Sequence, residues 1–280
     1  MPAVQLRGMV YLPSHFLSSP SPSCQLEGEP ELWYRRMWVM DGNNSLKRIR
    51  GIGDRQVADT RIFEASDYFL PSEFVNRFAN EVKAPPKPAA GAADEDIGPS
   101  EETEADGDPT DGDPFASPSG CTDNWKAAAS DEKKKMWAIF DESGIFASAC
   151  RHGFVMWITD MVRSGELAKY PLAMVAKALE VLGPQHLVGY DIGCQFQSTI
   201  STSSLGPKFT EEKCRCCLNA FHGFTHNYLC QLHHHPNCID GMGIEDLETL
   251  ERVFSLSNAL APITRYMTAY RRRVFIDLYF

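Results

Sequence analysis

The strongest constraint on the fold is a strand, a helix and a second strand that follow one another in the middle of the chain. Residues 145–150 are apolar and β-compatible, so they predict a strand. Residues 171–182 carry apolar side chains at helical spacing up to Gly183-Pro184, and they predict a helix. Residues 186–191 predict a buried strand that ends on Asp191. This succession favours an α/β fold in which helices cover a sheet and functional groups gather at strand ends.

The N-terminal part of the chain predicts further elements of the same core. Residues 33–40 are rich in aromatic and β-compatible residues and predict a strand, which Asp41-Gly42-Asn43-Asn44 stops as a turn. Residues 45–49 predict a short second strand, so that the two strands would form a hairpin. Residues 72–78 begin with a serine cap and predict a short helix.

An acidic stretch interrupts this core. The span Asp94–Asp113 contains ten of the 37 acids and no base, and it lies among proline, alanine and glycine. Such a composition predicts disorder because it offers little apolar surface to bury. The other acids equal the 27 lysines and arginines in number, so the net charge of −10 comes from this stretch. The acidic balance therefore does not exclude DNA as a partner.

These patterns predict either one core that is divided by an insertion or two domains that are joined by a linker. The N-terminus lacks the order of a signal peptide, and no run of about 18 apolar residues predicts a membrane span. We therefore expect an intracellular protein without a membrane partner. The expected division is an irregular lead-in over 1–30, a first part of the core over 31–83, a disordered acidic insertion over 84–120, the remainder of the core over 121–262 with a Cys/His-rich segment over 214–238, and a truncated C-terminal helix over 263–280.

Two acids, Asp41 and Asp191, each follow an apolar strand. A side chain at such a place is displayed by rigid backbone. With a third acid from a packed helix they would form a cage of carboxylates, which suits Mg²⁺ or Mn²⁺ because these ions take oxygen ligands. Two such ions support the displacement of a phosphoryl group. The alternative is that both aspartates cap turns or the helix that follows.

Four segments together carry a family resemblance. Residues 40–48, 140–153, 190–194 and 243–252 resemble, in this order, the successive motifs of the Kyakuja-Dileera-Zisupton transposases. The resemblance implies an RNase H-like α/β fold, a mixed sheet flanked by helices, with a DDE-type carboxylate triad that cuts and joins DNA with divalent metal. It also implies transposon ends and target DNA as partners and the nucleus as the location, and it leaves open a homo-oligomer.

The resemblance also assigns the acids. Asp41 and Asp191 match the first two acids of the triad by motif and by element order. Glu248 and Glu251 compete for the third place, and we favour Glu251 because residues 251–255 also resemble the glutamate helix of hAT transposases. Glu248 lies on the same helical face, where it would support the metal ligands. Asp141 is an alternative for the first acid.

Cysteine and histidine are concentrated between the second and third acids, with six of the nine cysteines in the span 194–238. His222, His226 and Cys230 recur every four residues, which places them on one face of a helix. Cys214 and Cys217 have the separation of a zinc-binding pair. These five residues predict either a Zn²⁺ site or side chains that line the catalytic cleft. The alternative is that the cysteines are small buried hydrophobes.

Two local runs of positive charge complete the candidate residues, and we expect them to contact DNA phosphates. The alternative is a solvated charged face. The residues are Lys47, Arg48, Arg271, Arg272 and Arg273.

The predicted function is therefore a DDE-type transposase core for metal-dependent DNA strand cleavage and transfer, and the sequence leaves open whether this copy is active or is truncated or inactive. The competing hypothesis is a non-catalytic, zinc-stabilised DNA-binding or structural protein derived from a transposase.

Overall fold

The computed structural model describes residue 30 and residues 32–51, 59–63, 66–82 and 139–280. The predicted acidic insertion and nearly all of the predicted lead-in lie outside these residues. The strands are β1 (Arg36–Asn43), β2 (Arg48–Ile49), β3 (Phe140–Cys150), β4 (Val155–Val162), β5 (His186–Gly189) and β6 (Arg215–Cys217). The helices are α1 (Ser72–Asn76), α2 (Lys169–Val181), α3 (Gly193–Thr202), α4 (Gly206–Glu211), α5 (Ala220–Gly223), α6 (Tyr228–His234), α7 (Thr249–Ser257), α8 (Ala261–Thr264) and α9 (Ala269–Tyr279), with 3-10 turns at Pro236–Cys238 and Asn258–Leu260.

The strands form one mixed sheet. β3 pairs antiparallel with β1 and with β4, and the short β2 also pairs with β3. On its other side β1 pairs parallel with β5, and β5 pairs parallel with β6. The predicted α/β class is thus confirmed, with a mixed sheet flanked by helices. The predicted strands over 145–150 and 186–191 are β3 and β5, and β1 lies between them.

The predicted hairpin between β1 and β2 is wrong. Both strands pair antiparallel with β3, so they run in the same direction. The backbone N–H of Ser45 donates to the side-chain oxygen of Asn43 at 2.8 Å, and the chain shifts sideways there without reversing. The hairpin in the sheet joins β3 to β4, where Gly153 has a φ of +93° and Cys150 N–H donates to the carbonyl of Phe154 at 2.9 Å.

The sheet separates two hydrophobic cores. Side chains alternate along a strand, so neighbouring residues face opposite sides. Trp38 and Val188 pack in the core that contains α2, whereas Val39 and Leu187 pack in the core that contains Val253 of α7. Helices therefore cover both faces. Among the described residues, no helix is both long and apolar enough to cross a membrane.

Candidate active site

The parallel pairing of β1 and β5 brings two distant acids together. Val39 lies opposite Gly189 in the register, and this is the last pair between the two strands. Asp41 lies two residues further along β1, on the same face of the strand as Val39, and Asp191 lies two residues after Gly189, in the turn that follows β5. The sequence predicted Asp41 just after the end of a strand. In the structure β1 continues to Asn43, so Asp41 lies within the strand. The two acids are neighbours at the edge of the sheet.

Backbone hydrogen bonds orient both aspartates. Asp41 Oδ1 accepts from the N–H of Gly42 at 2.7 Å, and Asp191 Oδ1 accepts from the N–H of Ile192 at 3.0 Å. Both side chains are half-buried, so they face the interior as well as solvent. Each carboxylate is thus oriented by the backbone N–H of the residue that follows it.

Helix α7 carries Glu251 in its first turn. The start of this helix is fixed, because Thr249 Oγ1 donates to the carbonyl of Arg151 at 3.2 Å and Arg252 pairs with Asp246 at 2.8 Å. Glu251 is exposed, yet its charge contributes to raising the pKa of Asp41, after the larger effect of burial. The charge of the third candidate acid therefore acts on the first.

Glu248 has a different environment from Glu251. Its carboxylate accepts from the backbone N–H of Phe221 at 2.7 Å, at the beginning of α5. It also lies 3.9 Å from Nδ1 of His222. Of the two competing glutamates, Glu248 thus holds α5, while Glu251 acts on Asp41.

A fourth acid, Glu166, lies in the loop between β4 and α2, and it was not among the residues predicted from the sequence. Its side chain packs over Gly42, where a Cβ atom would be 2.3 Å from Glu166 Oε1. Tyr190 Oη donates to Glu166 Oε2 at 3.3 Å. Glu166 lies outside the four segments that carry the family resemblance. The one available signal was the glycine directly after Asp41, because it leaves room for a side chain from elsewhere.

The acids perturb one another. Burial raises the pKa of Asp41 well above its ordinary value, and the charges of Asp191, Glu166 and Glu251 raise it further. Burial and Asp191 together raise the pKa of Glu166 to about 7. Burial also raises the pKa of Asp191, although His222 and His226 oppose the shift. Crowded, partly desolvated carboxylates of this kind favour a bound cation.

The structure divides the predicted Cys/His set. His226 Nδ1 lies with the sulfur atoms of Cys194 and Cys230, and these three atoms are within 4.8 Å of one another. Cys217 is buried on β6, where its thiol donates to the carbonyl of Val188 at 3.7 Å. Cys214 lies in a second group of three potential ligands, with His186 and Glu212. In the part of the chain that the structure describes, Cys214 and Cys217 are not among the potential ligands that meet at His226, and their predicted zinc role stays a prediction.

A family model described as Kyakuja-Dileera-Zisupton transposase matches residues 34–280. This chain belongs to the Kyakuja-Dileera-Zisupton transposase family. The matched region contains the four acids and the Cys/His residues, so the resemblance seen in the sequence motifs is confirmed. No curated protein and no solved structure matches the chain.

Asp141 also lies in the transposase-family region, but its surroundings differ from those of Asp41. Its carboxylate pairs with Arg48 at 3.1 Å and with Arg163 at 2.7 Å. Burial opposes the shift, yet the two arginines outweigh it and lower the pKa of Asp141. An acid that is already neutralised by arginines is a poor cation ligand, so the structure gives no support to Asp141 as the first acid.

The arginine triplet of this family member is mostly turned inward. Arg272 is fully buried, pairs with Asp160 and donates to the carbonyl of Leu46 at 2.7 Å. Arg273 pairs with the same aspartate at 2.7 Å. Arg271 is exposed. The prediction that Arg272 contacts DNA is therefore wrong, because its guanidinium neutralises a buried acid inside the protein.

The other positive run, Lys47 and Arg48, is also engaged within the chain. Arg48 pairs with Glu142 and with Asp141, and its side chain is largely buried. Lys47 is half-buried, and its Nζ lies 5.3 Å from the centre of the Phe140 ring. The placement of Arg48 is incompatible with its predicted contact to DNA phosphates.

Proposed function

We propose that this chain is the RNase H-like catalytic core of a DDE-type transposase. Asp41, Asp191 and Glu251 would hold Mg²⁺ or Mn²⁺ for DNA strand cleavage and transfer. The observation that carries the proposal is the parallel pairing of β1 with β5, which makes the two aspartates neighbours. Helix α7, which carries Glu251, packs against the same sheet.

The order of elements supports the same proposal. If β2 is counted as a continuation of β1, Asp41 lies on the first strand and Asp191 directly follows the fourth. Glu251 then lies on a later helix. This is the order that the family resemblance implies for an RNase H-like triad.

The residues present fit a magnesium or manganese site. The donor set consists of carboxylates, which are the ligands that these ions prefer. The raised pKa values of Asp41 and Asp191 fit a site in which a bound cation would stabilise the carboxylates. When bound, such ions would activate an attacking hydroxyl and stabilise the leaving oxygen of a phosphodiester.

The chain's own groups orient this site and hold protons in it. The N–H groups of Gly42 and Ile192 fix one oxygen of each aspartate. Glu166, with a pKa of about 7, would exchange a proton near neutral pH beside Asp41. His222 Nδ1 lies 3.9 Å from a carboxylate oxygen of Glu248, and His222 opposes the rise in the pKa of Asp191.

The proposed activity implies DNA as a partner, the nucleus as the location and self-association. Transposon ends and target DNA would be the substrates, and the nucleus would be the place of action. Self-association follows if two DNA ends are joined in one complex. Each of these points is open to a direct test, by localisation of a fluorescent fusion and by sedimentation with and without DNA.

The decisive experiment is nicking of supercoiled DNA by the purified protein in Mg²⁺ or Mn²⁺. Asp41→Asn, Asp191→Asn and Glu251→Gln should each lower the rate at least about 100-fold, because each removes a metal ligand. Glu180→Gln is the matched control, since Glu180 is exposed on α2 and pairs with Lys177. Equal nicking by the wild-type chain and by Asp191→Asn would reject the assignment.

A measurement of Mn²⁺ binding tests the metal site even if the chain does not nick DNA. Titration calorimetry with Mn²⁺ should show binding to the wild-type chain and to Glu180→Gln, and loss of binding in Asp41→Asn and Asp191→Asn. Manganese binding without nicking would favour the competing hypothesis of a non-catalytic protein derived from a transposase. Absence of manganese binding to the wild-type chain would rule out the proposed metal site.

A further inference from the structure

Three potential metal ligands converge between α3 and α6. The sulfur atoms of Cys194 and Cys230 lie 3.6 and 3.5 Å from Nδ1 of His226. In a tetrahedral site with Zn–S bonds of about 2.3 Å and Zn–N bonds of about 2.0 Å, a sulfur and a nitrogen ligand are about 3.5 Å apart. The distances between these atoms therefore fit ligands of one shared ion.

The backbone fixes which nitrogen of His226 faces the thiols. His226 Nε2 lies 3.1 Å from the carbonyl oxygen of Asp191, and a carbonyl only accepts, so Nε2 carries the proton. The unprotonated Nδ1 then directs its lone pair towards both sulfur atoms, and a neutral imidazole of this kind is the form that binds a metal ion.

A fourth ligand is available on the same helix. His234 follows Cys230 by four residues on α6, so the two side chains share a helical face. Nδ1 of His234 is buried and has no hydrogen-bond partner in the part of the chain that the structure describes. A rotation of the His234 side chain would complete the set.

We propose that Cys194, His226, Cys230 and His234 form a structural Zn²⁺ site. Two thiolates and two imidazoles in tetrahedral arrangement are a donor set that zinc prefers. The site keeps His226 and Cys230 from the sequence prediction. It replaces Cys214, Cys217 and His222 with Cys194 and His234.

The surroundings explain why an ion is needed there. Cys194, Leu218 and Cys230 form a hydrophobic cluster of three residues, separate from the two cores of the sheet. Five large apolar side chains of the same segment are exposed: Phe221, Phe224, Tyr228, Leu229 and Leu232. A segment with so little buried apolar surface gains its stability from a staple such as a structural metal.

The zinc site would also position the second acid. With Nδ1 on the metal, His226 donates its other ring N–H to the backbone of Asp191. Such a hydrogen bond fixes both the imidazole and its partner. His226 is then a positioning residue, which links the zinc ligands to the edge of the sheet where Asp191 lies.

The test of the site is zinc content. After reconstitution and removal of loosely bound metal, plasma mass spectrometry should find about one zinc ion per wild-type chain. Cys194→Ser and Cys230→Ser should retain less than about a tenth of that amount. Cys238→Ser is the matched control, because Cys238 is exposed in the same segment. A wild-type chain without zinc, or equal zinc in Cys230→Ser and Cys238→Ser, would overturn the proposal.

A second measurement does not depend on the folding of a variant. Replacement of zinc by Co²⁺ in the wild-type chain should give the visible bands of a tetrahedral ion and the near-ultraviolet bands of two thiolate ligands. A spectrum without thiolate bands would contradict the site. Loss of the bands in Cys214→Ser but not in Cys194→Ser would move the metal to the group around His186, which also contradicts it.

The positioning role of His226 has its own test, which rests on the proposed function. His226→Cys supplies a thiolate for the zinc ion but has no ring N–H for Asp191. We expect about one zinc ion per chain in this variant and a Kd for Mn²⁺ raised at least about tenfold. Retained zinc with an unchanged Kd for Mn²⁺ would disprove the positioning role. Because zinc content is measured without DNA, its outcome is independent of nicking.

Discussion

Two aspartates of the same sheet, Asp160 on β4 and Asp41 on β1, have opposite electrostatic surroundings. Asp160 is buried and pairs with Arg272 and Arg273. Burial opposes the shift, but the two arginines lower the pKa of Asp160. Asp41 has acids as neighbours, and its pKa is raised. The comparison shows that the partners of a carboxylate, and not burial alone, decide whether its pKa is lowered or raised.

The largest expected effect is on the paired aspartate. Asp160→Asn should lower the free energy of unfolding by about 3–5 kcal/mol, because it leaves the buried Arg272 without its full counter-charge. Urea denaturation at neutral pH measures this change. The exposed Asp240 provides the control, and Asp240→Asn should stay within about 0.5 kcal/mol of the wild-type chain. Equal stability of the two variants would contradict the comparison.

The charge of the crowded acid Glu166, unlike that of Asp160, should destabilise the folded chain at neutral pH when no metal is bound. The pKa of Glu166 is raised from its ordinary value of 4.5 to about 7 in the folded chain. Well below pH 4.5 Glu166 is protonated in both the folded and the unfolded state. As the pH rises towards 7, the unfolded chain loses this proton first. Stability should therefore fall over this window, by about 3 kcal/mol for this group. In EDTA, Glu166→Gln should remove that part of the fall.

Urea denaturation of both chains at pH 5, 6, 7 and 8 checks this prediction. Parallel pH profiles of the wild-type chain and Glu166→Gln would contradict it. Asp160 sharpens the comparison, since its lowered pKa means that its stabilising effect is present at neutral pH and is lost only as the pH falls below its ordinary value of 3.8.

The affinity for Mn²⁺ should rise with pH. A cation that binds beside Glu166 displaces its proton, so the Kd should fall by up to about tenfold per pH unit between pH 5.5 and 7. Titration calorimetry at several pH values measures this dependence. Glu166→Gln should flatten the curve, and an equally steep curve in that variant would assign the proton to another group.

The smallest expected change in stability concerns the exposed member of the arginine triplet. Arg271→Ala should change stability by less than about 0.5 kcal/mol, because its side chain lies in solvent. If Arg271 contacts DNA, the variant should also reduce the salt dependence of DNA binding by about one unit of slope. Fluorescence anisotropy at several salt concentrations checks this, with Lys177→Ala on α2 as the control. An unchanged slope would remove Arg271 from the DNA surface.

Sequence patterns predicted the elements of the sheet well wherever local periodicity determines them. The helix predicted over 171–182 is α2, and the strand predicted from His186 is β5. The adjacency of Asp41 and Asp191 followed from the family motifs, and the structure adds the parallel register that produces it. These features depend on local side-chain patterns or on short motifs.

The features that were missed depend on contacts between distant parts of the chain. Arg272 is buried because of Asp160, which lies more than a hundred residues earlier. Glu166 reaches the acids because Gly42 has no side chain. Cys194 joins His226 because α3 and α6 lie side by side. In each case the decisive partner is distant in sequence, so spacing alone could not identify it.

The register between β1 and β5 makes the position of Asp41 sensitive to the loss of a single codon in β1. Loss of one codon between Trp38 and Asp41 would move the aspartate to the opposite face of the sheet, because side chains alternate along a strand. Every family motif would then persist in the reading frame while the acids no longer meet. A change of length between Val82 and Ile139 lies outside the strands that set this register. Motif retention alone is thus a poor measure of whether a copy can still act.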